Sequence, residues 1–97
     1  MKEHQVKLID NTYGRDEARD LLLALINDKI RFLKQRIFSL EERIGCNTDN
    51  LEKRVHELKQ EKYRLVQEFE KLEKLDCSVE IDCHVHLKIH DEERVIV

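Results

Sequence analysis

The sequence predicts an α+β chain in which a long antiparallel two-helix coiled-coil hairpin is carried on a small antiparallel sheet, in the order β-αα-β(β). Three observations predict it. Apolar residues recur at alternating spacings of three and four through two long segments, the pattern of a helix with one buried stripe. A segment near the C-terminus alternates apolar and polar residues with a period of two, the pattern of a half-buried strand. The composition is 40% charged and 40% hydrophobic, with no proline and two glycines, which suits Glu/Lys/Arg/Leu-rich helices better than a site built on loops. Residues 1–97 read as a single domain with a modest core.

The first strand is expected at residues 4–10, with Val6 and Leu8 on one face. Asn11-Thr12-Tyr13-Gly14 then breaks the pattern, and Gly14 serves as a helix N-cap, with Asp16 and Glu17 at the positive end of the helix dipole. The first helix is expected at 15–44, with its seam at Leu23, Ile26, Ile30, Leu33, Ile37, Leu40 and Ile44. Gly45 stands where a left-handed cap is wanted. After the Cys46–Thr48 connection, Thr48 or Asp49 caps the second helix, and Asp49 with Glu52 resembles a capping box.

The second helix is expected at 49–75, with its seam at Leu51, Val55, Leu58, Lys62, Leu65, Phe69 and Leu72. Folded about a single point, the two seams match layer by layer, from Ile44 opposite Leu51 to Leu23 opposite Leu72. Leu33 then meets Lys62, the one polar residue in the seam, which fixes register or carries its charge past the apolar layer. Beyond the last layer, Arg19 and Asp76 form an ion-pair candidate.

Near the base of the hairpin the apolar stripe widens to Leu21–Ile26 on one helix and to Leu65, Val66, Phe69, Leu72 and Leu75 on the other. One partner helix and a small sheet cannot cover all of it, which predicts a homo-oligomer, with a dimer favoured. Residues 79–90 form the clearest strand. Val79, Ile81, Cys83, Val85, Leu87 and Ile89 lie on one face, with Glu80, Asp82, His84, His86, Lys88 and His90 on the other. Asp91-Glu92-Glu93 leads to a short last strand at 94–97, which pairs within the chain or docks on a neighbour. The expected interface residues are Leu22, Leu25, Phe32, Val66, Val95 and Val97.

The net charge is −3, and residues 76–97 supply it, with two basic residues against six acidic ones. Mixed charge along the helices reads as a solvated face, so nucleic acid is not the expected partner; the patch that would serve one is Lys29, Arg31, Lys34 and Arg36. Cys46, Cys77 and Cys83 form no C-x-x-C pair and are odd in number. With no apolar stretch of spanning length, they place the chain in a reducing cytoplasm and away from membranes.

Ile81-Asp82-Cys83-His84-Val85-His86-Leu87 resembles the H-x-H strand of the amidohydrolase superfamily, whose two histidines ligate a catalytic metal. Positions i and i+2 of a strand point the same way about 6.6 Å apart, so paired imidazoles can share one ion. That family carries the motif on the first strand of a large barrel and draws its other ligands from later strands. Here the motif lies in the last fifth of the chain, which is too short for that fold. What stays open is a metal site on His84, His86 and His90, zinc being the ion it would take. Ser39 and Ser78 lack an evident base, and no glycine-rich phosphate loop is present. No catalytic residue and no cofactor are assigned.

The stretch Asn27-Asp28-Lys29-Ile30-Arg31-Phe32 through Phe38-Ser39-Leu40-Glu41-Glu42-Arg43-Ile44-Gly45 resembles a group of small bacterial proteins of unassigned function. This resemblance implies a compact cytosolic bacterial protein and transfers no functional residue. The sequence therefore leads to a non-enzymatic scaffold, adaptor or protein–protein interaction module, with a metal-binding module and weak nucleic-acid association as alternatives.

Overall fold

The computed structural model describes residues 2–42 and 47–90. It holds β1 (Lys2–Gly14), α1 (Arg15–Glu41), α2 (Asp49–Lys71) and β2 (Ser78–Ile89), a mixed α+β arrangement. β1 and β2 form a two-stranded antiparallel sheet, with Lys2 opposite Ile89 at one end and Gly14 opposite Ser78 at the other. The helices leave and return at the Gly14/Ser78 end. The expected strand at 94–97 and the glycine cap at Gly45 lie outside the described residues.

Among the described residues, two buried clusters organise the fold. At the base, Ile9 and Ile81 of the sheet pack with Ala18 and Phe69 of the helices, joined by Tyr13, Leu21, Leu22, Leu25, Leu65, Leu72, Val79 and Cys83. Farther along the helices, Ile30 and Leu33 of α1 pack with Val55 and Leu58 of α2, flanked by Ile26, Ile37 and Leu51. The start of α1 thus meets the end of α2, and the later part of α1 meets the earlier part of α2. Full burial of a Val, Leu, Ile or Phe side chain contributes about 1.5–3 kcal/mol, so loss of any one of these contacts would be felt.

Several local expectations are corrected. β1 is longer than residues 4–10, because Asn11, Thr12 and Tyr13 do not break the strand. They stay extended and pair with Ile81, Glu80 and Val79. The pairing slips by one residue between Lys7 and Ile9, leaving Leu8 as the extra residue of a β-bulge. A regular strand would put Leu8 opposite Cys83 and turn Ile9 to the other face. The bulge instead places Ile9 opposite Cys83 and buries it to 8% exposure, while Leu8 is left 53% exposed. Val6 and Ile9, not Val6 and Leu8, therefore share the apolar face.

The second helix ends at Lys71, four residues before the expected Leu75. Leu72, Glu73 and Leu75 donate to carbonyls three residues back, at 3.1, 3.2 and 2.9 Å, so the last turn tightens and then unwinds. At the other end, the Thr48 side chain makes no capping bond. The Thr48 carbonyl accepts from Glu52 N–H at 2.9 Å, and Asn47 Oδ1 accepts from Asp49 N–H at 2.8 Å. Asn47, in an Asx-type turn, supplies the side-chain acceptor that Thr48 or Asp49 was expected to supply. Gly14 does occupy the N-cap of α1, with φ −65° and ψ 158°, a conformation open to any residue.

The seam is also adjusted at the base. Ala18 is fully buried, and Leu21, Leu22 and Leu25 pack around it, whereas Leu23 is half-buried and belongs to neither cluster. At this end α1 must face both α2 and the sheet, and the buried stripe turns to meet both. Arg19 pairs with Asp16 at 3.7 Å and Asp20 at 3.2 Å instead of reaching Asp76.

Candidate functional site

Helix packing covers only one end of the sheet. Cys83, Ile81 and Val79 of β2 and Ile9 and Tyr13 of β1 belong to the basal cluster. Beyond them the same apolar face continues through Val6, Val85, Leu87 and Ile89, with no helix over it among the described residues. Val6 is 37% exposed, Leu87 41% and Ile89 49%. A two-stranded ribbon is marginal by itself in water, and an apolar face at its open end adds to that difficulty.

The opposite face is polar and has a direction. In register order from the helix end, Glu80 lies opposite Thr12, Asp82 opposite Asp10, His84 opposite Lys7, His86 opposite Gln5 and Lys88 opposite Glu3. β2 itself therefore runs from acidic to basic. The Asp82/Asp10 pair places like charges together, a destabilising arrangement in a sheet. It is offset by His84, whose Nε2 contacts the Asp82 carboxylate, and by Lys7, 3.5 Å from Asp10.

The histidines singled out from the sequence are thus partly brought together. His84 and His86 occupy alternate positions of one strand, His84 engaged by Asp82 and His86 3.8 Å from Glu3. His90 is exposed just past the end of β2. Among the described residues, no group of three or more His, Cys, Asp or Glu side chains is arranged to hold a metal ion.

The expected interface residues divide into three sets. Leu22 and Leu25 pack against the chain's own basal cluster, and Val66 is half-buried. Phe32 is 55% exposed, with Lys29 Nζ 5.4 Å from its ring centroid, a cation–π contact that shields one face. Val95 and Val97 lie outside the described residues. On the same helix Phe38 is 65% exposed beside an open groove shared with Ile30, Arg31 and Lys34. Of the basic patch, Arg31 is held by Asp28 at 2.8 Å. No described helix is long and apolar enough to cross a membrane.

One arrangement had no sequence signal. Arg15, the first residue of α1, directs Nη1 at the carbonyls of Leu72 and Leu75, 2.9 Å each, and of Glu73 at 2.5 Å. These carbonyls lie in the turn just past the end of α2, so one guanidinium at the start of α1 ties down the chain as it leaves α2. It fixes the corner at which the sheet joins the helices and lines a groove of about 550 Å³ there with Gly14, Glu17 and Lys74. The groove is polar, and Arg15 is already engaged by the chain's own carbonyls.

Comparison with known proteins adds no relative: no family model, curated protein or solved structure matches the chain.

Proposed function

We propose that this chain is a non-enzymatic, cytoplasmic scaffold or adaptor that works as a homo-oligomer, most simply a dimer, and presents a coiled-coil helical hairpin for protein–protein interaction. The observation that carries it is the apolar sheet face left open at Val6, Val85, Leu87 and Ile89. Burial of such a face contributes about 25 cal/mol per Å², a driving force that a second polypeptide would realise. In the hairpin, Leu33 shares a layer with Lys62 and Ile37 with Leu58, as the matched seams require. The shared cluster of Ile30, Leu33, Val55 and Leu58 supports an antiparallel hairpin in which the later part of α1 faces the earlier part of α2. The exposed Phe32, Phe38 and Tyr63 are the side chains that the hairpin would offer to a protein partner.

Sedimentation velocity over a range of concentrations tests the oligomer. Self-association should be lost in Leu87→Asp, whose position is exposed within the chain. A wild-type chain that stays monomeric throughout would remove the proposal.

A second reading, a metal module on His84 and His86, draws on their alternate positions on one strand. It predicts stoichiometric zinc uptake in equilibrium dialysis that disappears when both become alanine.

A further inference from the structure

We infer that the occupant of the open sheet end is a second copy of this chain, joined by antiparallel pairing of β2 with β2 about a two-fold axis at His84. This inference rests on the oligomeric reading above and specifies the surface that carries it. The product is a four-stranded sheet in the order β1-β2-β2-β1, with both pairs of helices on the same face.

The choice of β2 over β1 follows from the edges. Among the described residues each strand has one unpaired edge. β1 is interrupted by the bulge at Leu8, a feature that bends an edge and blunts further pairing. β2 runs from Ser78 to Ile89 without a break, a glycine or a proline. Its backbone groups on the free side can be satisfied by another strand as well as by water.

The register follows from charge. With His84 on the axis, Glu80 lies opposite the partner copy's lysine at position 88 and Asp82 opposite its histidine at position 86. Each pair occurs twice by symmetry, and no like-charged carboxylates or lysines meet. The acidic-to-basic gradient along β2 makes the strand complementary to its own reverse, and it gives Asp82 a partner to counter its like-charged neighbour Asp10. A slip by a single residue would set polar against apolar positions and put the two copies' helices on opposite faces.

The apolar face gives an independent reason. In the same register, Cys83 lies opposite position 85 of the other copy, Ile81 opposite 87 and Val79 opposite 89. Ile81 and Val79 belong to the cluster capped by Ala18 and Phe69. Each copy's uncovered Leu87 and Ile89 therefore come alongside the helix-covered end of the other. The half of the ribbon that one chain leaves bare is completed by the half that its partner covers. Isologous pairing of this kind closes on itself at two copies and leaves the bulged β1 strands outermost.

Two charge variants and a cross-link test the pairing. In Glu80→Lys the new lysine faces Thr12 within its own chain but Lys88 across the interface, so the fold is kept while two favourable pairs become repulsive. Its self-association should weaken on the order of tenfold, from about 0.7 kcal/mol at each symmetric pair. Lys88→Glu, made together with Glu3→Gln because position 88 faces Glu3 within its own chain, should weaken likewise, and an equimolar mixture with Glu80→Lys should recover wild-type affinity, because every crossed pair is then opposite in charge.

Separately, His84→Cys in a Cys46→Ser, Cys77→Ser, Cys83→Ala background should form a covalent dimer on mild oxidation, since directly opposed residues lie about 4.5–5.5 Å apart. Glu80→Cys in that background should not, because its two copies would be about 26 Å apart. A protein that dimerises, yet ignores both charge variants and cross-links no faster at 84 than at 80, would overturn the β2 pairing and leave the oligomeric reading intact. A protein monomeric at every concentration would overturn both.

Discussion

Replacing Arg15 with methionine removes the guanidinium and keeps most of the apolar stem, which isolates the tie just past the end of α2. Nη1 has two hydrogens for three carbonyl acceptors, so two good bonds are the maximum and the third acceptor gains only electrostatically. A hydrogen bond with one charged partner contributes about 1.5–3 kcal/mol. The Arg15 side chain is 28% exposed, and water would reach part of the vacated site, so the sum must be discounted. We expect a loss of about 2 kcal/mol. At about 4–8 °C per kcal/mol for a chain of this size, the melting temperature should fall by roughly 8–16 °C.

The assay is thermal unfolding followed by circular dichroism at one fixed protein concentration, because association would itself raise the midpoint. Arg19→Met is the control. Arg19 pairs only with the exposed Asp16 and Asp20, and pairs of that kind contribute about 0–1 kcal/mol. Arg15→Lys should recover part of the loss, since an ammonium reaches one carbonyl as a point charge but cannot span the set. If Arg15→Met melts with the wild type, or no lower than Arg19→Met, the bonds to these carbonyls do not hold this corner together.

Other substitutions probe separate parts of the fold. Ile37→Asp places a charge beside the Leu33/Val55/Leu58 cluster and should cost roughly 2–3 kcal/mol in denaturant unfolding. Glu57→Gln removes only a surface pair with Arg54 and should stay within about 0.5 kcal/mol of wild type; a larger loss would show that the exposed helix face matters more than its geometry indicates. Deleting Leu8 removes the bulge residue while every observed strand pair can be kept, so the variant should fold with a near-native spectrum, and its collapse would mean that the bulge is required. Gly14→Ser adds a side-chain acceptor at an N-cap that has none and whose φ and ψ suit serine. It should raise stability by a few tenths of a kcal/mol, and a drop in melting temperature would show that the corner has no room for it.

What was legible in the sequence was whatever repeats. Ile30, Leu33, Val55 and Leu58 were visible as buried because apolar residues recur at helical spacing on both helices, and β2 was visible because one face is apolar at every second position. What was not legible depends on partners distant in the chain. The bulge at Leu8 exists only relative to β2, and nothing in residues 2–14 says that Ile9 instead of Leu8 will meet Cys83. Ala18 is the most buried core residue, but one small side chain adds little to an amphipathic pattern. Arg15 bonds to carbonyls 57 to 60 positions away, which no local signal marks. Those carbonyls belong to the turn in which α2 ends early, so one missed contact accompanies one misplaced boundary. At the candidate site, the two histidines and the apolar alternation were readable. The abrupt end of helix coverage along the sheet was not, because it depends on how far the base of the helical hairpin reaches along the ribbon.

Solution mass by light scattering, run from micromolar to millimolar chain and repeated with zinc, tests the central claim most directly. The account predicts a species of twice 11.7 kDa that is unchanged by the metal. A mass that stays at 11.7 kDa across the whole range would contradict it, and so would a dimer that appears only when zinc is added.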